Sequence, residues 1–345
     1  MHATPTAHSA DQPRWLILGA GSFGTAFARV LGSRPVQLTI AARSDDHVAR
    51  MRSSNSNERY FPGIEFPHDT RIINFEEAAA EQWDAIVLAV PTSAFHATLE
   101  RFSGCAPIFL SLGKGLDPSG RRLSEVAADI IDPDRLVILS GPNIAREIMQ
   151  DLPTAAVVAG TSPETVEHVQ QVVNGYTFRT YVNLDVIGVE LAGASKNVVA
   201  IAAGVLAGSG LGDNGISAMM TRGLGEMARL GLAHGANLQT YLGLAGVGDL
   251  MVTCHSPHSR NHRAGRLLAQ GLSPDEVREH IGQVVEGLRT APIVRRMARD
   301  AGVEMHICEA VADVAEHNLS LPELVREMMS RPPGQEFASD HEFIG

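Results

Sequence analysis

Cysteine is scarce in this sequence, and the three cysteines that occur are far apart. Cys105, Cys254 and Cys308 form no CxxC pair within 345 residues, so the sequence predicts neither a disulfide framework nor a thiolate zinc site. Reduced thiols of this kind are typical of cytosolic proteins, and we expect a cytoplasmic location.

Basic residues and long apolar runs are also in short supply. Lys and Arg total 28 against 39 Asp and Glu, giving a formal net charge of -11. This balance argues against nucleic acid as a partner, because duplex binding depends on many cationic contacts with phosphate. A small anionic substrate stays compatible with it, since a local cluster of cations can attract one.

No segment of the sequence reads as a membrane span or a signal peptide. The most apolar helix candidate, NVVAIAAGVLAG, is shorter than the about 20 residues that cross a bilayer. The first fourteen residues, MHATPTAHSADQPR, are polar and contain no apolar segment, which predicts a disordered leader over residues 1–14. We therefore expect a soluble protein with no membrane insertion.

The remaining chain is long enough for two domains, and its pattern changes near residue 185. Short β-branched runs alternate with helical stretches in the first half, which predicts a mostly parallel sheet with helices on both faces. The strand candidates are, in order, RWLIL, QLTIA, TRIIN, AIVLAV, PIFLSL, LVILS, TAAVVA and FRTYV. Beyond them, Ala, Gly and Leu recur with helical spacing. We predict an α/β domain over residues 15–184, an all-α domain over 185–330 and a flexible tail over 331–345.

A glycine-rich turn follows the first predicted strand directly. In WLILGAGSFGTAFARVLG, Gly19, Gly21 and Gly24 stand in GxGxxG register between a strand and a helix. In this context the first glycine permits the tight turn, the second lets a pyrophosphate approach the backbone, and the third lets the helix pack on the strand. A glycine-rich turn with no ligand is the alternative, but the strand-turn-helix context favours a Rossmann dinucleotide site.

The end of the second strand bears on which dinucleotide is bound. A site selective for NAD has an acidic residue about 20 positions after the glycines, where it bonds the ribose 2′-hydroxyl. Here TIAARSDD places Arg43 at that point, which favours the 2′-phosphate of NADP. Asp45 and Asp46 follow closely, so use of NAD stays open.

Three further turns follow predicted strands, at the sheet edge where open α/β sheets bind ligands. Pro91 in LAVPTSA turns the chain where the nicotinamide half of a cofactor lies in such folds, and Lys114 in LSLGKGL stands between two glycines. Asn143 in LSGPNIAREI could line the same cleft. The plainer interpretations are a solvated Lys114 and an Asn143 that only caps the next helix.

In the second half, one apolar helix carries a lysine in its middle. Lys196 in GVELAGASKNVVAIAAG is flanked by small and apolar residues that would partly desolvate its ammonium. Desolvation lowers a lysine pKa, which suits a general acid or base near neutral pH. Glu190 and Asn197 share the helix and are candidates to orient this lysine. The alternative is a side chain that reaches the surface.

The stretch LMVTCHSPHSRNHRAG gathers cations, hydroxyls and an amide in one turn without any acid. Ser259, Arg260 and Asn261 would lie at a helix N-terminus, which is a ready site for an anion such as phosphate. Just upstream, Asp249 opens a helix in a glycine-rich turn, where a plain N-cap is the dull interpretation. A zinc site built from Cys254 and the histidines at 255, 258 and 262 is a minority alternative, because nothing elsewhere completes it.

At this point the residues resemble a known family. GAGSFGTA, LSLGKGL, GPNIAREI, GVELAGASKNVVAIAAG, TRGLGEMARLG, GLAGVGDLMVTCHSPHSRNHRAG and VVEGLRTA are similar, in order, to the blocks of bacterial NAD(P)-dependent glycerol-3-phosphate dehydrogenases. The resemblance runs from about residue 15 to residue 329. It implies a Rossmann domain followed by a helical domain like that of 6-phosphogluconate dehydrogenase, and an NAD(H) or NADP(H) cofactor without a metal.

The resemblance also implies roles for particular residues. It makes Lys196 the proton donor and acceptor at the substrate oxygen of dihydroxyacetone phosphate or sn-glycerol 3-phosphate. The substrate-binding set that it implies is Lys114, Gly141, Asn143, Lys196, Asp249, Ser259, Arg260 and Asn261. The implied cofactor set, together with the three motif glycines, is Ser22, Phe23, Arg43, Lys114, Ala145, Arg260, Val284 and Glu286. Two positions depart from the family pattern, since Phe23 replaces a usual Trp or Tyr and Asn143 replaces a usual small hydroxyl residue.

The sequence thus predicts an oxidoreductase that makes glycerol phosphate for membrane phospholipids. A related hydroxyacid dehydrogenase is one alternative, although it would not need the SPHSRN turn as a phosphate site. A non-catalytic dinucleotide sensor is another alternative. Such a sensor would have no need of Lys196, which is present here. A homodimer is the default expectation for an enzyme of this size.

Overall fold

The computed structural model describes residues 12–316. The predicted flexible tail lies outside this range, as does the predicted leader except for its last three residues. Of those three, Arg14 belongs to the first strand, so regular structure begins one residue before the predicted domain start.

All eight predicted strands are present, and they form one sheet with the order β3-β2-β1-β4-β5-β6-β7-β8. Every neighbouring pair is parallel except β6 and β7, which confirms the mostly parallel sheet. The strands are β1 (Arg14–Leu18), β2 (Gln37–Ala42), β3 (Arg71–Asn74), β4 (Ala85–Leu88), β5 (Ile108–Ser111), β6 (Leu136–Ser140), β7 (Thr154–Ala159) and β8 (Phe178–Asn183). The strands β1 to β3 are added in one direction across the sheet, whereas β4 lies on the other side of β1. Such a change in the direction of strand order opens a ligand crevice at the carboxyl ends of β1 and β4.

Helices connect the strands and then continue without strands to the end of the described range. In the first half they are α1 (Ser22–Leu31), α2 (Asp45–Ser54), α3 (Phe75–Ala79), α4 (Thr92–Phe102), α5 (Leu123–Ala128), α6 (Ala145–Met149) and α7 (Pro163–Val173), with a short 3-10 turn at Pro133–Arg135. In the second half they are α8 (Val186–Gly208), α9 (Gly212–Ala233), α10 (Leu238–Leu242), α11 (Asp249–His255), α12 (Arg260–Ala269), α13 (Pro274–Ile281), α14 (Glu286–Asp300) and α15 (His306–Ala315). A π-helical turn, Leu244–Gly248, leads into α11.

Apolar side chains cluster on both faces of the sheet and inside the helical half. One sheet face packs Trp15 and Phe27, and the other packs Phe95 and Phe109. Val189 of α8 belongs to the second of these clusters, so the helical half is joined to the sheet through a shared apolar core.

Helix α8 is the centre of the helical half, and its length corrects one expectation. It spans 23 residues with a mean hydropathy of 1.5, so the whole helix is long enough to cross a membrane, although the quoted apolar run is not. Its apolar window is 89% buried inside the protein, as in the core helix of a soluble protein. Burial by neighbouring helices, rather than shortness, accounts for its composition.

Two glycines let α8 and α12 cross in close contact. A Cβ atom on Gly204 would lie 2.1 Å from the carbonyl oxygen of His262, and one on Gly265 would lie 2.1 Å from that of Ile201. The helices can therefore approach to backbone contact. This packing brings the start of α12, with its SPHSRN turn, beside the helix that carries Lys196.

Candidate active site

The glycine-rich turn has the geometry that the motif predicts. Gly19 has a φ of +112°, and a Cβ there would lie 2.5 Å from the carbonyl oxygen of Ala89. A Cβ on Gly24 would lie 2.0 Å from the carbonyl oxygen of Gly19, so the folded chain itself requires both glycines. At Gly21, by contrast, no protein atom lies within 4 Å of the Cβ position. The open space at Gly21 fits a group that approaches the backbone from outside, as a pyrophosphate does.

The start of α1 is available to such a group. No side chain caps the helix at Gly21, so the backbone N–H groups of its first turn face the crevice. Ser22 is half-buried in this turn, and Phe23 is half-buried against the apolar core. The residues present fit the diphosphate of a dinucleotide.

A buried asparagine that the sequence analysis missed supports this turn. Asn57 is 1% exposed, and its Nδ2 donates to the carbonyl oxygen of Ala20 at 3.0 Å and to Oγ1 of Thr25 at 2.8 Å. Its Oδ1 lies 3.1 Å from Nε2 of His47. The two contacts of Nδ2 join residues 32 or more positions apart, and the contact with His47 joins α2 to the segment that follows it. No local sequence motif predicts these contacts.

Arg43 lies just beyond β2, as the sequence analysis expected, and is exposed. Within residues 12–316 its guanidinium has no protein hydrogen bond or ion pair, while Asp45 accepts a hydrogen bond from Nδ2 of Asn74 at 2.9 Å. Ser44 caps α2 by accepting from the backbone N–H of His47. The guanidinium of Arg43 is thus available to a ligand at this strand end, as is the exposed carboxylate of Asp46.

At the junction of the two halves, one buried carboxylate holds two lysines. Asp249 is 1% exposed, and its Oδ1 accepts from Nζ of Lys196 at 2.5 Å while its Oδ2 accepts from Nζ of Lys114 at 2.9 Å. Burial would raise the pKa of the Asp249 carboxyl, but the two ammonium groups together lower it below its ordinary value. Asp249 is therefore ionised and binds the loop after β5 to α8.

The two lysines differ in how many of their protons are used. Nζ of Lys114 also donates to the carbonyl oxygen of Gly141 at 2.9 Å and to Oδ1 of Asn143 at 2.6 Å, which occupies all three of its donors. Nζ of Lys196 donates to Asp249 and to Oγ1 of Thr253 at 2.8 Å, which leaves one proton without a protein acceptor. Burial lowers the pKa of Lys114 to about 8. Lys196 is 5% exposed, so the prediction that its ammonium is buried is confirmed.

Asn143 does not cap helix α6, because the N-cap position is Ile144 and no side chain caps that helix start. The residue is 8% exposed, its Oδ1 accepts from Lys114, and its Nδ2 is buried without a protein partner. Gly141, two residues earlier, has a φ of +125°, and its backbone turn presents the carbonyl that Lys114 binds. Ala145 begins α6 in the same turn.

A chain of amide hydrogen bonds links this cluster to the SPHSRN turn. Asn197 donates from Nδ2 to the carbonyl oxygens of Gly193 at 3.3 Å and of Lys114 at 3.5 Å. Its Oδ1 accepts from Nδ2 of Asn261 at 2.8 Å, and Oδ1 of Asn261 accepts from the backbone N–H of Gly287 at 2.9 Å. The starts of α12 and α14 are therefore held beside α8.

The remaining predicted residues lie around the same cleft. Nη1 of Arg260 donates to the carbonyl oxygen of Val284 at 3.0 Å, and Ser259 caps α12 by accepting from the backbone N–H of His262 at 3.2 Å. Glu286 begins α14, and its Oε2 lies 3.5 Å from the Cβ position of Gly115, next to Lys114. Burial raises the pKa of the Glu286 carboxyl.

Neither of the two residues expected to orient Lys196 bonds its ammonium. The side chain of Asn197 contacts Gly193, Lys114 and Asn261 instead. Glu190 does not orient Lys196, because its carboxylate accepts from the backbone N–H of Ser124 at 2.9 Å and also bonds Oγ of Ser124 and the guanidinium of Arg122. Glu190 points to the loop after β5 because it lies on the face of α8 turned toward the sheet. The partner of Lys196 that the sequence analysis missed is Thr253, one helical turn after Asp249.

The zinc alternative finds no support in the described part of the chain. No group of three or more His, Cys, Asp or Glu side chains in residues 12–316 is arranged to hold a metal ion. His262 is buried against α8, whereas His255 and His258 are exposed.

A dinucleotide-binding turn in the first half, together with a buried cluster that joins Lys114 of that half to Lys196 and Asp249 of the helical half, is the arrangement of a nicotinamide-dependent oxidoreductase. Comparison with known proteins gives the family. The N-terminal model described as NAD-dependent glycerol-3-phosphate dehydrogenase matches residues 16–166, and the C-terminal model of the same description matches residues 185–326. The chain belongs to the NAD(P)-dependent glycerol-3-phosphate dehydrogenase family.

Individual relatives agree with this assignment. An NAD(P)+ glycerol-3-phosphate dehydrogenase of Frankia casuarinae is 42% identical over 333 residues, which cover 94% of this chain and 98% of the relative. One of Geobacillus thermodenitrificans is 42% identical over 329 residues, covering 93% of this chain and 95% of the relative. The crystal structure of glycerol-3-phosphate dehydrogenase from Coxiella burnetii matches with a TM-score of 0.89 at 35% identity, covering 93% of this chain and 99% of that chain.

Proposed function

We propose that this protein catalyses the reversible reduction of dihydroxyacetone phosphate to sn-glycerol 3-phosphate with NAD(P)H. The observation that carries the proposal is the pair of lysines on Asp249. Lys196 keeps one donor proton after its two protein hydrogen bonds, so it can protonate a substrate oxygen, whereas Lys114 has none to spare. A bound nicotinamide would supply the hydride for the carbonyl carbon.

The chain's own residues would divide the remaining work. Lys196 would give a proton to the carbonyl oxygen in reduction and take it back in oxidation, with Asp249 holding the ammonium in place. Lys114 would add positive charge beside the same oxygen, and Nδ2 of Asn143 would donate to a substrate hydroxyl. Each group is positioned by existing hydrogen bonds, so little reorganisation is required when substrate binds.

Substrate phosphate would bind at the start of α12. The guanidinium of Arg260, the amide of Asn261 and the first backbone N–H groups of α12 would form a site for a doubly charged anion, although Ser259 already accepts from the N–H of His262. Asn261 would exchange part of its contact with Asn197 for the phosphate. The cofactor would lie along Gly19, Gly21 and Gly24 with Arg43 at its adenosine end, which favours NADP over NAD.

The test is oxidation of NADPH in the presence of dihydroxyacetone phosphate, with 2-oxo acids as alternative substrates. We expect turnover of dihydroxyacetone phosphate alone, a loss in kcat of about 100-fold or more in Lys196→Ala, and a raised KM in Arg260→Ala. Arg263→Ala, at an exposed arginine of the same helix, is the matched control and should leave KM unchanged. Turnover of a 2-oxo acid with no response to dihydroxyacetone phosphate would assign the chain to another substrate.

The biological setting follows from this reaction and from the thiols. The product would serve membrane phospholipid synthesis, and a cytoplasmic location is supported by three buried cysteines, none of which forms a disulfide. A homodimer and domain limits at residues 184 and 185 complete the proposal. Sedimentation analysis checks the dimer, and limited proteolysis between β8 and α8 checks the limits.

A further inference from the structure

Three buried polar atoms without a protein partner surround the loop that carries Lys114. They are Oγ1 of Thr92, Oγ of Ser140 and Nδ2 of Asn143, at the carboxyl ends of β4 and β6. Buried hydroxyl and amide groups in folded proteins are almost always hydrogen-bonded, so a cluster of unpaired ones at a ligand cleft indicates a missing ligand. Thr92 is the member that no motif singled out.

Neighbouring residues explain the positions of the unpaired atoms of Ser140 and Asn143. Oγ of Ser140 faces α8 and lies 3.2 Å from the Cβ position of Gly193, close to the stem of Lys114. Asn143 is tied to Lys114 and belongs to the substrate side of the cleft. Neither argument applies to Thr92.

Thr92 lies where the nicotinamide half of the cofactor is expected. It is the first residue of α4, directly after Pro91 at the carboxyl end of β4, and β4 neighbours the strand that leads into the glycine-rich turn. It is 6% exposed, and no side chain caps the start of α4. The Thr92 hydroxyl is thus buried at this strand end with no hydrogen-bond partner within residues 12–316.

Glu286 from the helical half meets Thr92 at this point. Oγ1 of Thr92 lies 3.8 Å, and Oε2 of Glu286 lies 3.5 Å, from the same Cβ position of Gly115. A donor from one half and an acceptor from the other therefore both lie within 4 Å of the Cβ position of Gly115. A primary carboxamide presents one acceptor and two donors in a plane, which matches this pair.

We propose that the Thr92 hydroxyl donates to the carboxamide oxygen of the nicotinamide while the Glu286 carboxyl accepts from its nitrogen. This inference rests on the proposed function and makes Thr92 a cofactor-binding residue. The two contacts would fix the rotation of the nicotinamide ring, which would otherwise be free to turn about its bond to the ribose. Gly115 is required between them, because a Cβ there would lie 2.9 Å from Cγ2 of Thr92.

The experiment compares two ligands that differ only in the nicotinamide. Dissociation constants for NADPH and for 2′-phospho-ADP-ribose are measured by calorimetry on the full chain, in wild type and in Thr92→Val, which replaces the hydroxyl with a methyl group. We expect Thr92→Val to weaken NADPH binding by about 3- to 10-fold, the value of one hydrogen bond, and to leave 2′-phospho-ADP-ribose unchanged. Thr92→Ser should bind NADPH as wild type does.

Other results overturn the inference. Equal losses for both ligands would mean that Thr92 only supports the fold, and no loss for either would mean that the hydroxyl has no cofactor contact. Thr98→Val, at a buried threonine about 9 Å further along α4, is the matched control for a generic effect on this helix. Thr92→Ala replaces Thr92→Val if the latter folds poorly. Failure of the wild type to bind NADPH would instead refute the proposed function.

Discussion

The two halves of this molecule build their parts of the active site by different means. In the α/β half, the proposed ligand contacts come mainly from backbone turns at strand ends, and glycines such as Gly19 and Gly21 make those turns possible. In the helical half, the contacts come from side chains such as Lys196 and Asp249 that project from helices into a buried cluster. The first half thus provides mainly shape and the second mainly charge, with Lys114 as the exception, because this lysine of the α/β half joins the charged cluster.

This difference predicts different responses to substitution. A backbone site fails when an added side chain blocks it or distorts the turn, and the effect is seen in cofactor binding or in stability. A charged cluster fails when one member is removed, because the partners are left buried and unpaired. The following predictions test that contrast.

Asp249→Asn is expected to have the largest effect. The substitution removes the carboxylate that pairs two buried ammonium groups, so kcat/KM should fall by about 100-fold or more, and the free energy of unfolding should fall by about 3–5 kcal/mol. Steady-state kinetics and chemical denaturation measure the two losses.

Asp185→Asn is the control for this prediction. Asp185 caps α8 by accepting from the backbone N–H of Gly188 at 2.8 Å, and it lies away from the lysines. It should lower stability while kcat/KM of the folded protein stays close to wild type. A comparable loss of kcat/KM in both variants would mean that Asp249 matters only for folding.

A matched pair of glycine substitutions gives the next largest effect. Gly24→Ala places a Cβ 2.0 Å from the carbonyl oxygen of Gly19 and should cost about 1–3 kcal/mol of stability by overpacking. Gly21→Ala meets no protein atom within 4 Å, so it should preserve the thermal midpoint and raise the Kd for NADPH. Thermal unfolding with and without NADPH separates the two. A stability loss in Gly21→Ala would contradict the assignment of its open space to the cofactor.

The contrast also explains how much the sequence could predict. Strand patterns and the glycine register are local, so all eight strands and the glycine-rich turn could be predicted from short windows. Lys114, Asn143 and Lys196 were also identified one by one, since each is unusual in its own window. The role of Asp249 came only from the family resemblance, because its window suggested a plain N-cap.

Their mutual contacts could not be predicted in the same way. Lys114 and Asp249 are 135 residues apart, and their ion pair depends on how α8 packs on the sheet. Asn57, Thr92 and Thr253 carry no local signal, since each is an ordinary polar residue until a distant partner or an empty cleft gives it a role. The error over Glu190 has the same origin, because sharing a helix with Lys196 does not place it on the same face.

The third prediction concerns pH and Lys114. Since burial lowers the pKa of Lys114 to about 8, its ammonium loses its charge, and its ion pair with Asp249, above that pH. We expect kcat/KM for dihydroxyacetone phosphate to fall by up to about tenfold per pH unit above pH 8. Lys114→Arg stays charged and should lose this inflection, although its overall rate is lower. An inflection that persists in Lys114→Arg would assign it to another group.

Unfolding does not explain the expected loss of activity at high pH. The folded-state pKa of Lys114 lies below its ordinary value of 10.5, so between about pH 8 and 10.5 the unfolded chain binds more protons at this residue. The contribution of Lys114 to the free energy of unfolding therefore rises with pH across that window. As pH rises through this window, titration of Lys114 should lower kcat/KM while it raises the free energy of unfolding. Chemical denaturation at each pH checks the second change.

The smallest effect is expected at Arg43, where the comparison between the halves is least sharp. This residue belongs to the α/β half, yet it would act through a charged side chain rather than through the backbone. Because the guanidinium is exposed, solvent and salt screen it, and Arg43→Ala should reduce the preference for NADPH over NADH by only about 5- to 10-fold. The ratio of kcat/KM values for NADPH and NADH measures this preference, and the effect of the substitution on the ratio should shrink as ionic strength rises.

Arg50→Ala, at an exposed arginine of α2, is the control and should leave the ratio unchanged. An unchanged ratio in Arg43→Ala would mean that the adenosine end, like the pyrophosphate, is held by the backbone of the α/β half alone.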